Sequence, residues 1–211
     1  GGRHGGSWGT GGWQTRGMSQ DRVTITVTEH VADVRLVRTD KRNALDAAMF
    51  TALAEAGETV KKTPGVRAVV ISGDGQSFCA GLDFEMIAAL ASGQTTKETP
   101  DAGTIMDTSD RITHLGQQVA WVWQEVPVPV IAAVHGHALG GGIQLALGAD
   151  IRFVHPDTQL SVREVHWGLV PDMTGTFMLA QVVGADVAKE LVCAWAIFRA
   201  RQKYWVAGGP N

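Results

Sequence analysis

The chain has 211 residues, enough to bury a sizeable core within one domain. A net charge of −3 argues against a basic nucleic-acid surface, and no apolar run reaches the roughly 18 residues that a membrane span needs. The two cysteines, Cys79 and Cys193, form no metal or disulfide pattern, and the first residues show no charged-then-apolar signal. Together these predict a soluble, globular chain suited to a reducing cytoplasm.

Residues 1–17 are glycine-rich and aperiodic, and read as a disordered leader. The domain is expected over 18–198, with 199–211 an atypical tail. Val23–Thr28 alternates as a strand does, and Ala32–Arg38 follows after a short turn, which predicts a hairpin. Leu45, Met49, Leu53, Ala56 and Val60 recur at helical spacing, with Asp46 near the capping position and Pro64-Gly65 as the stop. Val66–Ser72 reads as a buried strand, 73–82 as a turn-rich loop and 83–91 as a helix. Residues 92–104 are polar and predict a surface loop. Ile112, Leu115, Val119, Val122 and Val126 mark an amphipathic helix over 109–125.

Val130–Val134 is a short apolar run of the kind buried on both faces of a parallel sheet. A turn at 135–139 leads into Gly140, Gly141 and Gly142, then a helix through Ile143, Leu145 and Leu147, and a second strand at Ile151–Val154. Three glycines at a helix start cost roughly 1 kcal/mol each against alanine. They either open backbone N–H groups to a ligand atom or allow close helix packing. The spacing is not that of a dinucleotide-binding GxGxxG turn. Further on, 159–162 reads as a strand and 164–167 as a helical turn or loop. Helices are expected at 173–183 and 186–196, broken at Gly184. Strands alternating with helices predict an α/β fold with a mainly parallel sheet and flanking helices.

Three segments carry a family resemblance. The stretch 135–150, HGHALGGGIQLALGAD, resembles the glycine-rich core of the crotonase superfamily, the enoyl-CoA hydratases and isomerases. The turn 77–83, SFCAGLD, is similar to that family's F-x-A-G-x-D turn, and 160–176, LSVREVHWGLVPDMTGT, to its acid-bearing segment. The resemblance implies a crotonase-like ββα spiral and action on coenzyme A thioesters in fatty-acid β-oxidation-type chemistry. It implies no permanently bound cofactor, since the thioester is the substrate. It also implies a homo-oligomer, a trimer or hexamer. Family members usually continue past Phe198 with further structure, so the end reads as truncated or frame-shifted and the C-terminal helical part as incomplete.

The same resemblance assigns roles to residues. The amides of Leu82 and Gly141 would hold the thioester oxygen as it gains charge, where losing one donor typically costs about 3 kcal/mol. Glu164 would be the acid–base group; its local sequence fits equally a salt bridge with Arg163 or a solvated carboxylate. Gln144 stands where related hydratases have a second glutamate. A glutamine can orient water but takes no proton at neutral pH, which favours double-bond isomerisation over hydration. Asp172 matches an aspartate of dienoyl-CoA isomerases, or else caps the next helix. Coenzyme A would lie over Lys41, Arg42, Ala44, Ala80, Asp83 and Gly140, with Lys41 or Arg42 meeting phosphates or being simply solvated. His135, His137 and His166 give no metal set. The alternative function is a catalytically weak or inactive chain that only binds acyl-CoA or partner subunits.

Overall fold

The computed structural model describes residues 13–14, 21–92, 108 and 111–200, with only the backbone for 13–14 and 89–92. Of the loop expected at 92–104, Ser92 ends a helix; the rest of it and the tail beyond Ala200 lie outside the described residues. Within 1–17, Trp13–Gln14 forms a two-residue strand, β1, and the remainder is likewise outside them.

The hairpin forms as expected from β2 (Val23–Thr28) and β3 (Val31–Leu36), paired from Val23 with Leu36 to Thr28 with Val31. Glu29 and His30 between them have φ of 48° and 70°. Such a two-residue turn twists in the sense the paired strands need. Helix α1 (Ala47–Lys62) starts where Asp46 accepts a hydrogen bond from the Met49 N–H at 2.8 Å. It buries Met49, Phe50, Leu53, Ala56 and Val60, each large side chain stabilising by about 1.5–3 kcal/mol. Strand β4 (Ala68–Gly73) then lies parallel to β3, two residues later than the pattern suggested. Helix α2 (Phe84–Ser92) follows the loop after it.

The helix expected over 109–125 is shorter. It begins at Leu115 (α3, Leu115–Trp121) and tightens into a 3₁₀ turn at Val122–Glu125. Ile112, placed on its apolar face by periodicity, is 80% exposed. Trp123 is fully buried, and its indole N–H donates to the Val119 carbonyl.

Strand β5 (Val130–Val134) is parallel to β4. The expected turn at 135–139 is instead partly a strand, β6 (His137–Leu139), because a partner strand from later in the chain pairs with it. Helix α4 (Gly141–Leu147) takes in two of the three glycines, and β7 (Ile151–Val154) pairs parallel with β5. The main sheet thus runs β1-β2-β3-β4-β5-β7, antiparallel at the hairpin and parallel from β3 onward. A second sheet joins β6, β8 (Gln159–Ser161) and β9 (Phe198–Arg199), so part of the expected tail is a paired strand. Glu164–Trp167 forms a 3₁₀ turn. Helices α5 (Gly175–Val183) and α6 (Ala185–Ala194) are both shorter than expected, α6 ending at Trp195 with φ of 40°. Among the described residues no helix is long and apolar enough to cross a membrane.

Candidate active site

The loops leaving the carboxyl ends of β4 and β5 are joined by a backbone ladder. The Phe78 and Cys79 amides donate to the carbonyls of His135 and His137, and the Leu139 amide donates back to Cys79. The loop before α1 joins on the other side: Leu45 N–H donates to Gly81, Asp83 N–H to Leu45, and Ala80 N–H to Arg42. In an extended segment successive amides point to opposite sides. The Asp83 amide is spent on Leu45, so the Leu82 amide lies on the other side, with no backbone partner among the described residues. The Gly141 amide is in the first turn of α4, where helical N–H groups have no intrahelical acceptor.

These segments border a cavity of about 600 Å³ at the crevice beyond the strand ends. Leu82, Gly140, Gly141 and Glu164 all line it, as do Lys41, Arg42, Ala44, Ala80 and Asp83. Two of the sequence-predicted residues are not in its wall, Gln144 and Asp172. Gln144 is 2% exposed on α4 directly behind Glu164. Asp172 is exposed, and the capping position of α5 belongs to Thr174, so the helix-cap reading of Asp172 does not hold.

Of the two purposes left open above for the glycine triplet, close packing is visible in the structure. Gly140 and Gly141 line the cavity, but a side chain on Gly141 would press on Leu45 and Met173, and one on Gly142 would collide with the Cys79 carbonyl.

Glu164 departs from both ordinary readings of its local sequence. It is 8% exposed, and Arg163 turns its guanidinium over the Trp195 ring, 6.0 Å away. Burial raises the proton affinity of Glu164 above the usual carboxylate range, and the field of Asp172 adds to this. Backbone hydrogen bonds and the Gln144 carboxamide pull the other way without cancelling it. Gln144 Nε2 donates to Glu164 Oε1 at 2.6 Å, while the buried Oε2 has no partner among the described residues. A buried carboxyl beside two uncommitted amides is chemically suited to moving a proton next to a centre that gains negative charge.

Asp83 is held by Arg38, whose Nη1 approaches Asp83 Oδ2 to 2.6 Å and the Ala44 carbonyl to 3.1 Å. Burial alone would push the Asp83 carboxyl up, but the Glu85 N–H and the Arg38 guanidinium together hold it below its ordinary range. Arg38 was not singled out from the sequence; its partner lies 45 residues away, beyond any local pattern. Phe84, Leu139, Arg163 and Trp167 of the cavity wall were missed for a similar reason. Phe84 meets Trp167 edge-on with centroids 5.9 Å apart, a contact between helix α2 and the 3₁₀ turn. The histidines are engaged elsewhere: His137 Nδ1 with Ser77 Oγ, His135 Nε2 with the Gly75 carbonyl, and His166 stacked on Trp195.

The chain is similar to known proteins over the same region. It is 35% identical over 165 residues to the mitochondrial Delta(3,5)-Delta(2,4)-dienoyl-CoA isomerase of Mus musculus, covering 78% of this chain and 50% of that one. It superposes on an enoyl-CoA hydratase from Thermoplasma volcanium GSS1 with a TM-score of 0.71 at 27% identity, covering 85% and 66% of the two chains. A Thermobifida fusca YX structure in complex with acetoacetyl-CoA matches with a TM-score of 0.71 at 35% identity, covering 84% and 68%. The chain spans about half to three fifths of the length of curated relatives. These neighbours share the crotonase-type α/β fold seen here. Residues 26–202 match the family described as enoyl-CoA hydratase/isomerase, and this match, on a chain with this fold, establishes that the chain belongs to that family.

Proposed function

We propose that the chain acts on acyl-CoA thioesters and moves a carbon–carbon double bond, in preference to adding water across it. The thioester oxygen is held by the amides of Leu82 and Gly141. Glu164 takes the proton from C2 of a 3-enoyl thioester, the double bond shifts from C3–C4 to C2–C3, and the same carboxyl returns the proton to C4. The observation that carries this reading is a buried carboxyl in the cavity wall with one oxygen unpartnered. Hydration is served by a second base, and the residue at the matching place is Gln144, whose amide already serves Glu164. Similarity to a dienoyl-CoA isomerase supports the same preference.

Coenzyme A is the substrate's carrier, with no permanently bound cofactor. Its phosphates meet Lys41 or Arg42, both exposed at the cavity rim, and its pantetheine lies along the backbone of Ala44, Ala80, Asp83 and Gly140. Asp172 acts on Glu164 through its field, outside the cavity wall. The unpaired cysteines fit a cytoplasmic setting, and the resemblance supports assembly as a trimer or hexamer.

Turnover of a 3-enoyl-CoA against a trans-2-enoyl-CoA tests the reading. Isomerisation of the first is expected to exceed hydration of the second, and faster hydration overturns the preference. Glu164→Gln is expected to lower turnover by about 10²–10⁴-fold. If that variant keeps the activity unchanged, the alternative of a chain that binds acyl-CoA without using Glu164 chemically takes its place.

A further inference from the structure

Gln144 sits behind Glu164 with both ends of its carboxamide engaged. Its Oε1 accepts from the Gly175 N–H at 3.0 Å, and its Nε2 donates to Glu164 Oε1 at 2.6 Å. The amide cannot be turned over, because the reverse orientation would set an NH₂ against the Gly175 N–H and a carbonyl oxygen against the carboxylate. The room for this arrangement comes from glycines on both sides. A side chain at Gly175 would lie 2.5 Å from Gln144 Oε1, and one at Gly140 would lie 3.3 Å from Glu164 Oε1. Glu164 Oε1 is therefore boxed in, whereas Oε2 is buried without a partner among the described residues. A buried polar atom with none points to a missing contact, which a substrate hydrogen would supply.

We propose that Gln144 is a positioning residue that divides the labour between the two oxygens of Glu164, holding Oε1 and leaving Oε2 to carry the proton. The proposal deepens the isomerase reading and rests on it for the identity of the base. A hydrogen bond to one oxygen stops the carboxyl rotating about its last bond and keeps the other aimed. One aimed oxygen that both takes and returns a proton is what a one-base isomerisation needs. Gln144 is thus more than the place where a second base is absent, and Gly175 fixes which way its amide points.

The charged and titratable groups on the elements packed around Glu164 are Asp172 ahead of α5, Asp186, Lys189 and Glu190 on α6, Asp83 and Glu85 at the start of α2, Arg163 and His166 on its own turn, and Lys41 and Arg42 across the cavity. Of these, the field of Asp172 raises the proton affinity of Glu164. Gln144 favours the ionised carboxyl and Asp172 the protonated one, so the two have opposite signatures on titration.

The test is a ¹³C NMR titration of the glutamate carboxyls of the full chain without ligand, the Glu164 signal assigned by its loss in E164Q. In Q144M, which keeps the volume but not the donor, Glu164 is expected to titrate at higher pH than in the wild type. The lower limb of the kcat/KM profile should shift the same way, with kcat down tenfold or more and KM little changed. G175A, which pushes the carboxamide aside from the opposite end, should move the titration in the same direction. Circular dichroism checks folding; if Q144M does not fold, Q144N, which draws the donor back by one methylene, carries the same expectation. An unmoved Glu164 titration in the folded variant overturns the role of Gln144. Wild-type turnover in E164Q overturns instead the base on which the proposal rests, so the two failures are told apart.

Discussion

Folding buries the carboxyl of Glu164. A carboxyl whose proton affinity rises on folding supports the fold fully below the ordinary carboxylate range, and that support is lost as pH rises through the raised value. Burial puts Glu164 in this class. Glu164→Gln is therefore expected to be more stable than the wild type at pH 8 and no more stable at pH 4. Thermal unfolding across pH reads this, with each kcal/mol worth about 2–4 °C in a chain of this size. Equal melting temperatures at pH 8 would show the carboxyl is not desolvated. The two cysteines differ in the same way. Cys79 is buried and its thiol is pushed up to about 12, while Cys193 is exposed. A thiol reagent at pH 8 should modify Cys193 in the native chain and reach Cys79 only after denaturation.

The elements that frame the cavity depend on a few contacts between loops. Arg22 and Arg38 both reach Asp46 at the start of α1, and Arg38 also reaches Asp83 at the start of α2. Removing one partner of a largely buried ion pair leaves the other charge uncompensated, at a cost of about 3–5 kcal/mol. Arg38→Met is expected to lose stability on that scale by urea unfolding, and Arg38→Met/Asp83→Asn to lose clearly less. If the double variant is as unstable as the sum of the singles, the pair is not coupled. Gly81 is the other fixed point. Its φ of 89° suits glycine, and a side chain there would run into the backbone carbonyl of Leu139, which cannot swing away. Gly81→Ala should cost more than the about 1–3 kcal/mol of backbone strain alone. Because Leu82 is next in the chain, acyl-CoA binding should weaken with it, measurable by thermal shift.

At the scale of the whole molecule, several large apolar side chains of the described residues stay on the outside, and two of them share a sheet edge. Strand β7 is the edge of the main sheet and exposes Ile151 and Phe153, the latter 68% accessible. Open sheet edges with apolar faces invite pairing with another surface. Light scattering is expected to give a mass that is a multiple of the single chain, with Phe153→Lys moving it toward the monomer; a monomeric wild type would remove the oligomer from the proposal. The order of elements was legible in the amino-acid pattern because a buried strand, a capped helix and a glycine turn are encoded by neighbouring residues. Val130–Val134, Asp46 ahead of α1 and the glycines at 140–142 all read correctly for that reason. Strand β6 did not, since each of its residues pairs with one 22 positions later, and neither did the late start of α3. Sequence by itself determined the α/β class, the family and the candidate residues from three local motifs. Only the tertiary structure decided that Glu164 is buried rather than solvated or paired with Arg163, that Gln144 backs it, and that Asp172 stays outside. Whether a charge meets water, a counter-ion or an amide depends on which segments pack against it, and segments far apart in the chain carry no local record of that meeting.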